Sequence, residues 1–361
     1  MLREDAVQAA LADIPYPGLT RDIVALGLVR SIAVRNDRVH VSLRLATSRE
    51  DVPALLREAI GARLAQAGAI RSEIQILTPD AHATSRPSPA ADRVRMPGVA
   101  KVIAVGAGKG GVGKSTVAVN LALALQEAGL RVGVLDADIY GPSVPVLLGI
   151  EDGAQRVRMT AQHQILPLEA LGMAVVSFGF FLGAKSPAVW RGPLVGKAVK
   201  QFARGVVWPA LDVLVVDLPP GTGDVPLSLA EAIEVDGAVV VTTPQRLSVL
   251  EAGKAIEMFR KLGVAVLGVV ENMSEAVCAC GRTSHPFGEG GGAALSEKMA
   301  CPLLARIPFE ESTVRGGDTG APTMVAEPRG ASTAAFRTMA HTVGESLDLL
   351  HHVAAKGVPA P

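Results

Sequence analysis

The chain is 361 residues long, enough for two domains or for one large α/β domain with an appendage. Apolar residues make up 49% of it but aromatic residues only 3%, which predicts a core of Ala, Val and Leu and favours parallel strands buried on both faces. Lys plus Arg and Asp plus Glu both number 35, and this balance argues against non-specific nucleic-acid binding as the main task.

The apolar runs and the number of cysteines indicate in which cellular compartment the protein is found. No apolar run approaches the ~18 residues that a membrane-spanning helix needs, and the opening MLREDAVQAALADI mixes acids and a base in a way that a signal peptide does not. Three cysteines, an odd number, argue against a disulfide framework and for a reducing compartment. We therefore expect a cytoplasmic protein without a membrane partner.

The pattern of residues 1–78 predicts a small α+β domain, because helical and alternating apolar segments follow one another there. Asn36 and Asp37 separate two alternating runs, which is typical of a β-hairpin. The predicted elements, in chain order, are a helix over 4–12, hairpin strands over 24–35 and 38–46, a helix over 50–67 and a strand over 73–77. Residues 79–98 are rich in Pro, Ala and Ser without periodicity, which predicts a linker.

The pattern changes over residues 99–361, which we assign to a second domain. Short apolar runs such as KVIAV, LDVLVV and GAVVV alternate there with helical segments. This alternation predicts an α/β fold with a mostly parallel sheet and helices on both faces.

A glycine-rich segment between the first of these strands and the next helix predicts a P-loop NTPase, because it fits G-x-x-x-x-G-K-[ST]. Glycines let successive backbone N–H groups turn towards phosphates, and the helix N-terminus adds the positive end of its dipole. We expect Lys114 to reach the β and γ phosphates of ATP and the Ser115 hydroxyl to ligate Mg²⁺. The predicted nucleotide-binding residues here are Gly108, Lys109, Gly110, Gly111, Val112, Gly113, Lys114, Ser115 and Thr116.

Three aspartates follow predicted strands of the same sheet. Asp217 ends the run LDVLVV, which suits the acid that holds Mg²⁺ beside the phosphate loop. Asp136 and Asp138 follow the strand after the first helix, and at this spacing they point to one side of an extended chain. We expect Asp136 to support Mg²⁺ and Asp138 to orient the attacking water. The alternative for this pair is a solvated strand end.

Lys109 gives the loop the form K-G-G-x-G-K-[ST], and with it the domain resembles the deviant Walker A family of P-loop ATPases. Members of that family act as dimers that enclose ATP between their subunits. The resemblance implies that Lys109 contacts nucleotide across the dimer interface, where a second ammonium group stabilises charge much as an arginine finger does. It implies slow ATP hydrolysis with Lys109, Lys114 and Asp138 as catalytic residues.

An ordered set of segments narrows the resemblance to the Mrp/ApbC iron–sulfur cluster carriers. These segments, within about residues 99–330, are DADIYGPS, WRGP, DLPPGTGD, VTTPQ, ENMS and RGGDTGAP. Asn272 matches the asparagine that reads the adenine edge in that family, although by residue type alone it also fits a turn. The resemblance implies a homodimer whose partners are apo iron–sulfur proteins and cluster assembly factors, with no nucleic-acid partner.

The first domain resembles the small iron–sulfur assembly domain that often precedes the Mrp ATPase, on the strength of DIPYPGLTRDIVALGLVRSIAV. That domain usually carries a cysteine where this chain reads LATSREDVP (45–53). Because the chain has no cysteine before residue 278, we expect this domain to dock partners or to contribute to the dimer.

Other members of the wider family fit less well. A nitrogenase-type iron protein needs separated cysteines flanking the Asp217 loop, and the sequence has none near it. A septum-site ATPase needs a basic amphipathic C-terminal helix for anionic lipid, whereas the tail from Ser332 is amphipathic and nearly uncharged. A plasmid-partition ATPase would carry basic DNA-contacting patches, which the balanced composition does not indicate.

Cys278 and Cys280 follow ENM, where the Mrp/ApbC family carries C-x-x-C and where two subunits are thought to share one [4Fe–4S] cluster through four thiolates. The spacing here is C-x-C. In an extended segment, side chains at i and i+2 lie on one face, so both sulfur atoms can face one partner. The alternatives are zinc, bound by four thiolates or with His285, and two unligated thiols. Cys301 is predicted to be a buried small apolar residue.

The sequence therefore predicts an ATP-hydrolysing homodimer that holds an iron–sulfur cluster, 4Fe–4S in type, between its subunits. Hydrolysis would gate the receipt or release of that cluster. The alternative is a partition-type dimer that switches with nucleotide, scaffolds partners and holds no cluster.

Overall fold

A computed structural model of the chain describes residues 4–17, 22–26, 28–35, 38–44, 51–77, 93, 95–139, 141–151, 157–181, 205–278 and 280–350. The chain divides into two compact units, Met1–Ser88 and Pro89–Pro361. Several sequence predictions fall wholly or mostly outside the described residues: the turn at Asn36 and Asp37, residues 45–50 of LATSREDVP, the linker 79–98 and the WRGP segment at 190–193.

The first unit has the predicted order of elements. They are α1 (Glu4–Ala12), β1 (Val29–Arg35), β2 (Arg38–Arg44), α2 (Val52–Gln66) and β3 (Arg71–Leu77). Strand β2 is central, antiparallel to β1 and parallel to β3. Helix α2 buries Val52, Leu56, Ile60 and Leu64, one residue per turn, against this sheet and α1. The unit therefore has a hydrophobic core of its own.

The second unit is built from short strands and the helices that connect them. Its strands are β4 (Val99–Ala107), β5 (Val132–Asp136), β6 (Arg158–Met159), β7 (Ile165–Leu166), β8 (Leu168–Ala170), β9 (Met173–Ser177), β10 (Leu211–Asp217), β11 (Gly237–Thr242), β12 (Val266–Asn272), β13 (Ala276–Val277), β14 (Thr283–Ser284) and β15 (Leu303–Ile307). Its described helices are α3 (Lys114–Glu127), α4 (Val144–Leu147), α5 (Asp224–Ala232), α6 (Arg246–Lys261), α7 (Gly291–Lys298), α8 (Glu311–Asp318), α9 (Thr323–Ala326) and α10 (Ala331–Ser346).

Eight of these strands form one sheet in the order β15-β12-β11-β4-β10-β5-β9-β8. Every neighbouring pair is parallel except β8 and β9, so the predicted mostly parallel sheet is confirmed. Along β10, Val213 and Val215 face one core while Leu214 and Val216 face the other. This alternation of faces along a strand buried on both sides explains the run of consecutive apolar residues.

The two faces of the sheet are covered by different helices. Helix α10 packs on α3, and its buried residues include Phe336, Met339 and Val343. This confirms that the described part of the C-terminal tail serves core packing. Helix α6 covers the opposite face and buries Phe259. None of the helices that the structure describes is long and apolar enough to cross a membrane.

Parallel strands bring their carboxyl ends to one edge of the sheet, and the chain segments that follow them meet there. The segments after β4, β5, β10, β12 and β15 carry the phosphate loop, Asp138, the Asp217 loop, Met273 and Pro308 respectively. In open α/β sheets this edge is where ligands bind. The fold thereby gathers residues that are far apart in the sequence.

Candidate functional site

The phosphate loop connects β4 to α3, and its conformation depends on Gly113. This residue precedes the first residue of α3, Lys114, and has φ 80°, in the left-handed region that favours glycine. A Cβ atom at Gly113 would lie 2.2 Å from Nδ2 of Asn272. The loop therefore needs glycine here both for its turn and for the close approach of β12.

A cavity of about 310 Å³ opens over this loop. Most of the predicted residues line it: Lys109, Gly110, Gly111, Gly113, Lys114, Ser115, Thr116 and Asp138. Gly108 and Val112 belong to the same loop between Ala107 and Gly113, and Val112 is buried beneath it. The other described wall residues are Gly141, Ser143 and Leu147, which follow β5, and Pro220, which follows β10. The cavity has the backbone N–H groups and the ammonium group that phosphates require.

Lys114 and Asp217 form a buried ion pair at the floor of this cavity. The Lys114 Nζ atom donates to Oδ1 of Asp217 at 2.5 Å and lies 3.1 Å from the Ser115 hydroxyl. Burial raises the pKa of Asp217, and the neighbouring Lys114 opposes that rise. No hydrogen bond reaches Oδ2 of Asp217 from the described residues. A free carboxylate oxygen near a serine hydroxyl fits the oxygen ligands that Mg²⁺ prefers.

Asp136 lies behind the cavity wall and is fully buried. Its carboxylate accepts hydrogen bonds from the Ser177 hydroxyl at 2.9 Å and from the backbone N–H groups of Asp138 and Val144 at 3.1 and 3.3 Å. Burial, followed by the charge of Asp217, raises the pKa of Asp136 to about 7. Asp136 therefore holds the loop that presents Asp138, and its predicted support of Mg²⁺ stays a prediction.

Lys109 has a different partner from Lys114. Its Nζ atom donates to Oε1 of Gln245, which precedes α6, at 3.2 Å. Within one subunit Lys109 thus lies on the cavity wall but is held by the loop after β11. Its predicted contact with nucleotide across a dimer interface stays a prediction.

A second cavity, of about 510 Å³, adjoins the first and shares five lining residues with it: Gly113, Thr116, Gly141, Ser143 and Leu147. Asn272 lines this cavity and donates from Nδ2 to the Val112 carbonyl oxygen at 2.9 Å. Pro142, Val146 and Met273 also line it, and the other described wall residues come from the segment after β15 and from α8: Pro308, Phe309, Glu310, Thr313, Val314, Gly317 and Asp318. Asn272 therefore lies in a cavity next to the phosphate loop, and its predicted contact with the adenine edge stays a prediction.

Cys278 and Cys280 lie at the exposed tip of a small hairpin formed by β13 and β14. The Cys278 carbonyl oxygen accepts from the Gly281 N–H at 2.8 Å, which closes a tight turn. The two Cα atoms are 5.3 Å apart, against about 6.6 Å in an extended strand, so the expected extended segment is wrong. The side chains nevertheless reach each other, because the structure joins them in a disulfide. A disulfide ligates no iron, so the pair must be reduced before it can bind metal.

His285, the other candidate metal ligand, has a structural partner. The Nδ1 atom of His285 lies 3.1 Å from the Ser274 carbonyl oxygen. Across the part of the chain that the structure describes, no three His, Cys, Asp or Glu residues form a group that could hold a metal ion. Cys301 is a free thiol, half-buried rather than buried as predicted, and burial raises its pKa.

Sequence reasoning missed four residues that the geometry brings into the site: Ser143, Ser177, Gln245 and Phe309. Ser143 and Gln245 fall within DADIYGPS and VTTPQ, which were informative as segments but gave no role to these residues. The hydroxyl of Ser143 contacts that of Ser115 at 3.1 Å. Phe309 could have been found from its position just after a parallel strand, at the edge where ligands bind.

A parallel sheet with a phosphate loop at its carboxyl edge, and with a buried Lys–Asp pair beneath that loop, defines a P-loop NTPase. Comparison with known families agrees with this class. Residues 98–344 match a family described as NUBPL iron-transfer P-loop NTPase, and residues 4–74 match the iron–sulfur cluster assembly protein family.

Individual relatives narrow the class further. An iron–sulfur cluster carrier protein from Deinococcus radiodurans is 42% identical over 346 residues, covering 96% of this chain and 96% of that protein. A nucleotide-binding protein from Archaeoglobus fulgidus, solved in complex with ADP, is 37% identical with a TM-score of 0.57, over 67% of this chain and 93% of that one. The Pyrococcus furiosus cell division ATPase MinD, at 23% identity and a TM-score of 0.51 over 68% of this chain and 99% of that one, shares the fold. The chain belongs to the iron–sulfur cluster carrier family of P-loop NTPases.

Proposed function

We propose that this protein binds and hydrolyses ATP with Mg²⁺, and that two subunits carry one iron–sulfur cluster, 4Fe–4S in type, for transfer to apoproteins. One observation carries the proposal: an exposed cysteine pair stands on a hairpin that leaves the sheet directly after Asn272, a wall residue of the nucleotide cavity. The names of the relatives support the cargo, and the phosphate loop supports the nucleotide.

In the proposed hydrolysis, the oxygen of a water forms a bond to the γ-phosphorus as the bond to the β–γ bridging oxygen breaks. ADP leaves with that electron pair, and the protons of the water pass to phosphate and solvent. Lys114 holds the β and γ phosphates, Asp138 orients the water, and Lys109 of a second subunit adds positive charge at the γ-phosphate. Ser115 and Asp217, with Asp136 behind them, would hold Mg²⁺, which neutralises phosphate charge when bound.

The cargo site follows from counting ligands. One subunit offers two thiolates at the hairpin tip, whereas a [4Fe–4S] cluster takes four. Two subunits brought together by ATP would supply the complete set, and their separation after hydrolysis would release it. The cysteine-free first unit would then bind the apoproteins or assembly factors that exchange the cluster.

The decisive experiment is anaerobic reconstitution of the reduced protein with iron and sulfide. Wild type should bind about two iron atoms per subunit and gain visible absorption, since one cluster serves two subunits. Cys278→Ala/Cys280→Ala should lose both, and Cys301→Ala, the control, should retain them. Equal iron in wild type and the double variant would refute the carrier function and favour the nucleotide switch without cargo. Retention of zinc without sulfide would instead identify a zinc site.

A further inference from the structure

The cysteine hairpin, defined as residues 275–290, is attached at its base to a wall of the second cavity. The Ser274 backbone N–H and hydroxyl both donate to the Ile307 carbonyl oxygen, at 3.0 and 3.1 Å. The Phe309 N–H donates to the Glu275 carbonyl oxygen at 2.6 Å. These bonds prolong the parallel pairing of β12 with β15, in which Asn272 lies opposite Ile307. The hairpin therefore begins as an extension of the ligand-binding edge of the sheet.

One pair of aromatic side chains adds a direct link between the hairpin and the cavity. Phe287 of the hairpin meets Phe309 edge-to-face, with ring centroids 6.0 Å apart and planes at 70°. Phe309 lines the second cavity and is 39% exposed in this structure. A ligand that fills the cavity would therefore pack against the same ring that Phe287 contacts. Aromatic pairs of this geometry are favourable beyond their buried area, so the two rings constrain each other's orientation.

The return of the hairpin to the body of the unit is fixed as well. The fully buried Glu271 accepts from the Gly292 N–H, in the first turn of α7, at 2.5 Å and from Nε of Arg306 at 3.0 Å. A Cβ atom at Gly292 would lie 2.6 Å from the Cβ of Glu271, so glycine permits this approach. Both ends of the hairpin are thus anchored by hydrogen bonds, and among the described residues the Phe287–Phe309 contact joins side chains of the hairpin and of the cavity wall.

We infer that Phe287 is a positioning residue through which nucleotide in the cavity sets the position of the cysteine pair. A base packed on Phe309 would limit the orientations of that ring, and Phe287 would transmit this limit to the hairpin. The thiols of Cys278 and Cys280 would then react more slowly with solvent reagents. Because coupling between two sites is reciprocal, a constrained hairpin would in turn favour the bound nucleotide by the same factor. The inference deepens the proposed function, on which its biological meaning rests.

The test uses the reduced, iron-free full-length protein and needs no cluster. The rates of alkylation of Cys278 and Cys280 by iodoacetamide are measured by mass spectrometry with and without saturating ADP, with Cys301 as the internal reference. In wild type ADP should slow alkylation by about two- to tenfold, the range that one aromatic contact can supply. Repeating the measurement over a range of protein concentrations separates this effect from burial in a dimer.

Phe287→Leu keeps an apolar side chain but removes the ring, and it should bring the ADP-dependent ratio close to one. Val277→Ala, a truncation of an exposed residue elsewhere on the hairpin, should keep the wild-type ratio. Phe309→Leu removes the ring on the cavity side of the same contact. Combined with Phe287→Leu, it should cause no further loss of the ADP-dependent change in alkylation rate. A wild-type ratio in Phe287→Leu, or no effect of ADP on wild type, would overturn the inference.

These results are separable from those that test the carrier function. A protein that binds no cluster but shows ADP-dependent alkylation lost in Phe287→Leu would refute the proposed cargo and keep the positioning role. A protein that loads a cluster through Cys278 and Cys280 but shows the same ADP-dependent ratio in wild type and Phe287→Leu would support the proposed cargo and refute the positioning role.

Discussion

Lys109 and Lys114 belong to the same loop, but different side chains hold them within one subunit. Lys114 forms a buried pair with Asp217, whereas Lys109 is bound by the neutral side chain of Gln245. A lysine held by an amide can exchange that partner for a phosphate at a lower electrostatic cost than a lysine held by a buried carboxylate. Of the two lysines, Lys109 is therefore better suited to exchange its partner for a phosphate in the proposed dimer.

This difference predicts the behaviour of Lys109→Ala. We expect ATP turnover to fall by about a hundredfold or more, the order of effect seen when a charge-stabilising finger is lost. The affinity for ADP should change by less than about threefold, because the phosphate cradle of one subunit keeps Lys114 and its N–H groups. Turnover and ADP titration measure the two quantities. Lys254→Ala, which removes a lysine from an exposed pair with Glu251, is the control, and normal turnover in Lys109→Ala would contradict the cross-subunit role.

Among the elements, strand β12 contacts both the phosphate loop and the end of the cysteine hairpin. Asn272 at its end contacts the phosphate loop, and the preceding Glu271 anchors α7 after the cysteine hairpin. Neighbouring residues of a strand face opposite sides of a sheet, so one strand end serves both purposes without conflict. Strand β12 thus contributes Asn272 to the cavity wall and, through Glu271, fixes the position where the hairpin joins α7.

We expect Glu271→Ala to lower the stability of the second unit by about 2–3 kcal/mol, because it leaves the Gly292 N–H without its acceptor and breaks a pair whose acid is buried. Thermal unfolding of the full chain, followed on the transition of that unit, measures the loss. Glu311→Ala removes another glutamate–arginine pair, exposed on both sides, and should cost less than about 1 kcal/mol. Shifts of equal size in the two variants would show that Glu271 has no special anchoring role.

The local parts of the site were predictable from the sequence, and the long-range parts were not. The phosphate loop consists of consecutive residues, because adjacent backbone N–H groups and the N-terminus of one helix form it. The contacts of Lys109 with Gln245 and of Phe287 with Phe309 join segments whose approach depends on strand order and register, which no local pattern encodes. The cysteine turn was missed for a related reason: C-x-C alone does not state whether its backbone is extended or closed by a hydrogen bond.

At the scale of the whole molecule, the chain comprises two units with separate hydrophobic cores. The alternating and helical patterns of the first unit predicted each of its described elements, because amphipathic periodicity is read within a single element. The described residues that line the two cavities belong to the second unit. The chemistry of the phosphate site therefore has its described residues in one unit.

Removal of residues 1–88 should accordingly leave ATP turnover within about twofold of the full chain, as expected for a unit with its own core. Steady-state phosphate release from the shortened and full-length proteins measures this. The shortened protein with Lys114→Ala serves as the inactive reference. A shortened protein that stays folded by circular dichroism yet loses turnover would mean that the first unit contributes to catalysis.

The closeness of Cys278 and Cys280 has a consequence for exposure to air. Two thiols on one tight turn meet each other at an effective concentration that thiols on separate molecules do not reach, so oxidation joins them within one hairpin rather than between proteins. Oxidation of this turn therefore closes a bond within one chain instead of cross-linking two chains. A thiol reductant breaks this bond by thiol–disulfide exchange, so the oxidation is reversible and both thiols are restored.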